Sequence, residues 1–137
     1  LVPYLYHTAC QTHQSGIPMI RPLVMEYPKD PIAKTQNLSY MLGDALLISP
    51  GFDRDEYELY LPEGRWQDIE SKEVYEGMTF VHIENKAFAD GGTSLRVFQK
   101  EGTSIPLFAQ KEVLHVPAQL WKQEDLEFMI FQKKDVD

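Results

Sequence analysis

The residue most out of keeping with its surroundings is Arg21, set in the mostly apolar run Gly16 to Pro28 (GIPMIRPLVMEYP). A buried guanidinium is costly unless it is paired, and no local partner stands out. Its counter-charge is therefore expected from sequence-distant structure, which this chain need not contain. Other residues that could do chemistry are weaker candidates. Asp53 and Asp55 suggest a paired acid site, but they flank a charged turn, and a structural role is preferred. Asp44 follows Gly43 just before an apolar strand, where a carboxylate commonly binds turn amides. His7, His13, His82 and His115 lack metal-ligand spacing, so no metal or cofactor is expected. His13 reads as a packed histidine and Cys10, the single cysteine, as a small core residue. Trp66 could stack on a sugar, although capping a core is the preferred reading.

These residues must be positioned by a chain of 137 residues, enough for one domain that buries roughly two-thirds of its unfolded surface. With 43% hydrophobic and 25% charged residues the composition is that of a globular protein, and no apolar run has membrane-spanning length. A net charge of -8, from 13 basic and 21 acidic residues, argues against nucleic acid as a partner. One cysteine excludes an intrachain disulfide framework and suits a reducing compartment, so a cytoplasmic location is expected.

Val2, Leu5, Tyr6, Ala9, Cys10 and His13 recur at spacings of three and four, predicting an amphipathic helix over residues 1–15 that Gly16 stops. The pattern is already running at Leu1, as in a piece of a longer polypeptide. Ile17 to Met25, apolar on both faces, reads as a strand of a parallel sheet covered on both sides, and Glu26 to Ser39 as the loop leaving it. Short strands then take over. Leu46 to Ser49, Leu95 to Phe98 and Leu126 to Phe131 are among them. Glu56 to Leu61 alternates, with Tyr57, Leu59 and Leu61 on one face and Glu56, Glu58 and Tyr60 on the other. Pro62 to Gly64 is a turn, and Val74-Tyr75 with Thr79 to Ile83 reads as a hairpin about Glu76-Gly77. Such strands predict an antiparallel sandwich.

Leu1 to Tyr6 (LVPYLY), Arg21 to Pro28 (RPLVMEYP), Tyr40 to Pro50 (YMLGDALLISP), Tyr60 to Trp66 (YLPEGRW) and Gly102 to Leu107 (GTSIPL) occur in an order and spacing that resembles glycoside hydrolase family 31, the α-glucosidases and α-xylosidases. The resemblance fades at Ala87 to Gly92 and Leu95 to Gly102, and after Phe108 nothing matches. It implies a mainly β chain: an antiparallel β-sandwich over residues 40–137, preceded at 1–39 by a helix and strand like the last unit of a (β/α)8 barrel. It also implies retaining hydrolysis of an α-glycoside, in which one aspartate attacks the anomeric carbon and another protonates the leaving oxygen, roughly 5–5.5 Å away. Those aspartates would sit on earlier barrel strands, outside this chain, so the chain alone should be inactive.

Barrel active sites lie at the C-terminal ends of the strands. The resemblance thus makes Arg21, Glu26 and Tyr27 the substrate-proximal candidates, with Arg21 read as an interior ion-pair partner and Glu26 as a loop-holding residue. Expected partners are the rest of the barrel, its α-glycoside and, for the isolated chain, a second copy of itself. A glucoside is preferred over a xyloside. The competing reading is a non-enzymatic sandwich module that binds carbohydrate or protein.

Overall fold

The computed structural model describes residues 1–51, 54–84, 95–109 and 120–133. Asp53, His115, the stretch 87–92 and the tail beyond residue 133 lie outside them. The described chain is mainly β, its sheets are antiparallel, and it divides into two compact units, Ile20–Glu101 and Leu1–Met19 with Gly102–Asp137.

The larger unit is a sandwich. Its strands are β1 (Ile20–Pro22), β2 (Tyr40–Leu42), β3 (Leu46–Pro50), β4 (Glu56–Leu61), β5 (Arg65–Asp68), β6 (Val74–Glu76), β7 (Thr79–Glu84) and β8 (Leu95–Lys100). Six of them form one sheet in the order β1-β2-β3-β8-β5-β6, and β4 pairs with β7 in a second. Met41, Leu47, Trp66 and Phe98 from the first sheet meet Tyr57, Leu59, Leu61 and Ile83 from the second in one core, which Leu23 and Ala33 extend. Each such side chain contributes about 1.5–3 kcal/mol by leaving water. Along β3 Leu46, Leu47, Ile48 and Ser49 are all buried, and Ser49 Oγ shares a hydrogen bond of 2.8 Å with the Tyr57 hydroxyl.

Three expectations change here. The strand predicted over Ile17 to Met25 is only three residues long and pairs antiparallel with β2, Ile20 opposite Leu42. Pro22 has no N–H to extend the ladder, and the chain turns into α2 (Leu23–Glu26), which buries Leu23 and leaves Val24 and Met25 exposed. Second, β6 and β7 are not a hairpin, because they belong to different sheets. Between them Met78 takes a positive φ of 59°, and the Gly77 and Met78 amides donate to Gly64 O and Leu61 O. The link thus crosses from one sheet to the other over the Pro62-Gly64 turn. Third, Tyr60 is buried although alternation puts it with Glu56 and Glu58: its ring lies 5.2 Å from that of Phe80, its cross-strand partner.

The smaller unit joins α1 (Val2–Ser15) to the hairpin of β9 (Thr103–Phe108) and β10 (Leu126–Phe131), with Leu126 opposite Phe108. Gly16 ends α1 in the left-handed conformation at φ 76°, its N–H bonded to Thr12 O, as predicted. The buried face of α1 is not the expected stripe. Pro3, Tyr4 and Thr8 are buried, with Thr8 Oγ1 bonded to Tyr4 O, while Val2, Tyr6, Ala9 and His13 are exposed and Cys10 is half-buried. His13 is therefore not a packed histidine. Trp121 stacks edge-on against both Tyr6 and Phe108.

Candidate functional site

Arg21 sits in β1 with only 4% of its side chain exposed, so its charge needs partners within reach. Both come from this chain. Nη1 donates to Glu26 Oε1 at 2.9 Å and to Asp44 Oδ1 at 2.5 Å. The expectation that the counter-charge comes from sequence-distant structure, which the chain need not contain, is thus corrected for Glu26, and for a local reason: a strand continuing through Met25 would carry Glu26 away, whereas the helical turn α2 brings its carboxylate back. Asp44 reaches the same nitrogen because Gly43, at φ 65°, turns β2 into β3 beside β1. Sequence reading gave Asp44 the turn amides. Burial by itself would lower the Arg21 pKa, but the hydrogen bonds to Asp44 and Glu26 outweigh it and hold the pKa above its ordinary value. The cluster is one cation shared by two carboxylates, a clamp that ties β1, α2 and the β2–β3 turn together.

Tyr27 follows directly. Its ring packs against the sandwich core with Lys100 Nζ 5.4 Å from the ring centroid. The hydroxyl is buried and finds no hydrogen-bond partner among the described residues. Burial, followed by the charges of Glu26 and Glu63, pushes its pKa up, so the phenol stays protonated. Beside it opens a cavity of about 420 Å³ whose walls include Glu26, Tyr27, Asp30, Glu63 and Met78. Asp30 is committed to structure. It accepts the Tyr60 hydroxyl at 2.6 Å and the amides of Ile32 and Ala33 at 2.9 and 3.2 Å. The Tyr60 bond leads the effects that hold its carboxyl below the usual range.

The structure therefore brings Arg21 and Glu26 into direct contact and sets Tyr27 beside them at the cavity. Chemically the group can hold a loop and offer hydrogen-bond acceptors and an apolar wall. Asp30, ionised and saturated with donors, is unsuited to general-acid work. Trp66 is fully buried, with Nε1 donating to Pro62 O at 2.9 Å, which removes sugar stacking as its role. Asp55 is exposed. Asp44 was the residue missed as a partner of Arg21, and its only sequence signal was its place in a glycine turn.

Residues 16–112 match the model described as the glycosyl hydrolase family 31 C-terminal domain. The chain is 36% identical over 110 residues to human neutral alpha-glucosidase AB, covering 77% of this chain and 11% of that protein. It is 33% identical over 109 residues to the isomaltosyltransferase of Sporosarcina globispora, covering 78% of this chain and 10% of that one. Among solved structures, the cycloalternan-forming enzyme from Listeria monocytogenes, in complex with a pentasaccharide substrate, superposes with a TM-score of 0.79 at 33% identity, over 96% of this chain and 12% of that one. The chain thus spans about a tenth of the length of these relatives.

Proposed function

Because the chain belongs to glycoside hydrolase family 31, we propose that it serves as the C-terminal part of a larger retaining hydrolase acting on α-linked glucosides. The observation that carries this is the family match over residues 16–112, together with the alpha-glucosidase and isomaltosyltransferase relatives. On this reading the start of the chain adjoins a catalytic barrel supplied by the rest of the polypeptide, Ile20–Glu101 forms the sandwich, and the two catalytic aspartates lie outside the chain. The exposure of Ile17, Ile20, Val24 and Met25 supports it, since a barrel would cover these side chains.

Within that enzyme Arg21 is a positioning residue: its ion pairs with Glu26 and Asp44 set the course of the loop that carries Tyr27 toward the substrate. Without a nucleophile or an acid the isolated chain has neither group that lowers the barrier to glycoside cleavage. An assay of the 137 residues on aryl α-glucosides tests this, and turnover above background would refute it. In the full-length polypeptide Arg21→Leu should lower turnover or folding yield. Unchanged activity together with unchanged stability would remove the positioning role.

A further inference from the structure

The exposed face of the β4–β7 ladder carries a side-chain group that hydrolysis leaves unused. The register sets Glu58 opposite His82 and Glu56 opposite Glu84, so three carboxylates surround one imidazole. Like charges directly opposite each other on an antiparallel pair are destabilising, and packing offers no reason for the Glu56 and Glu84 pair. His82 Nδ1 lies 2.8 Å from Glu58 Oε1. Its Nε2 lies 4.0 Å from Glu56 Oε2 and 3.9 Å from Glu84 Oε1, too far for hydrogen bonds. One ring nitrogen is thus held by a carboxylate while the other faces two more across a gap. Metal-binding histidines divide their nitrogens in this way: an outer carboxylate takes one N–H, fixing the tautomer and aiming the other nitrogen's lone pair at the ion.

We propose that Glu56, His82 and Glu84 form a site for a divalent first-row transition ion of the zinc class, with Glu58 orienting the imidazole. The ligand atoms of the three residues lie within 4.8 Å of one another. Tetrahedral bonds of roughly 2.0–2.2 Å place ligand atoms about 3.4 Å apart, so rotation of two exposed glutamate side chains closes the site. The imidazole nitrogen sets this group apart from a bare acidic patch, because oxygen-only sets suit magnesium and calcium whereas imidazole suits zinc, nickel and copper. Two carboxylates balance the ion's charge. A fourth position is left for water. The signal is invisible along the chain, since Glu56 and His82 meet only through strand register.

The test is titration of the 137-residue chain with zinc chloride, followed by calorimetry and by the nitrogen shifts of the histidine rings. One equivalent should bind and shift His82 Nε2 with Nδ1 remaining protonated. Loss of Glu58 in Glu58→Ala should weaken binding about 10–100-fold, and His82→Ala should abolish it at this site. Magnesium chloride should leave the His82 ring unshifted. These side chains face solvent, so the variants should fold, and Glu56→Gln provides a second, independent weakening. Zinc affinity unaffected by His82→Ala, ligation through Nδ1, or binding confined to His7 and Cys10 of α1 would overturn the proposal.

Discussion

Arg21 and its two acids differ in exposure, and that decides what losing the arginine costs. Asp44 is 64% exposed and can return to water, whereas Glu26 is only partly accessible. Arg21→Leu should therefore destabilise the chain by about 1–3 kcal/mol, less than the roughly 3–5 kcal/mol seen when a wholly buried pair is broken. Urea unfolding measures it. The Tyr60 and Asp30 pair gives a pH signature. Tyr60 is pushed up to about 12, first by burial and then by its bond to Asp30. Its stabilisation is complete below the ordinary tyrosine pKa and is lost as pH rises through the elevated one. Asp30 is held low, so its share is present above the ordinary carboxylate pKa and is lost as pH falls through the depressed value. Tyr60→Phe should flatten both arms of the stability profile and cost about 1–2 kcal/mol near neutrality. A profile with unaltered arms would show the bond to be unimportant. At this scale the sequence showed that Arg21 needed charge but not where it would come from.

Elements were legible where periodicity alone decides. α1, its glycine stop, β4 and β10 stand at or within a residue of their expected limits, although α1 does not bury the stripe its spacing marks and Tyr60 breaks the alternation of β4. The misreadings come from pairing, which periodicity does not encode. Ile17 to Met25 is apolar enough for a long buried strand, yet Pro22 stops the ladder and Leu23 turns inward as a helix. Glu76-Gly77 has the composition of a hairpin turn and instead carries the chain between sheets. The reason Gly77 is glycine lies in that crossing: a Cβ there would meet Pro62 O at 2.0 Å and Gly64 O at 2.5 Å, both backbone atoms. Gly77→Ala should therefore cost about 2–4 kcal/mol in thermal or urea unfolding, while Gly64→Ala meets no neighbouring atom and bears only the strain of its φ of 116°. Equal, small effects at both positions would contradict the crossing.

For the molecule as a whole, the apolar groups left exposed are the informative ones. In the smaller unit a groove of about 310 Å³ is lined by Tyr6, Cys10, Trp121, Leu126 and Phe128, and Val2 and Ile130 are also exposed. Exposed apolar surface of this kind drives association. The isolated chain should show a mass that rises with concentration in sedimentation, and Tyr6→Glu should return it toward the monomer. A monomer at all concentrations would count against this. Family and mainly β architecture were legible from five ordered blocks, whereas the chemistry was not, since no residue described in this chain offers a free nucleophile and acid pair. The most direct measurement is the anomeric configuration of the first product when the full-length polypeptide and the 137-residue chain are each given an aryl α-glucoside. Release of the α-anomer by the full-length protein and no turnover by the chain is the expected result. Release of the β-anomer, or turnover by the chain alone, would contradict the assignment.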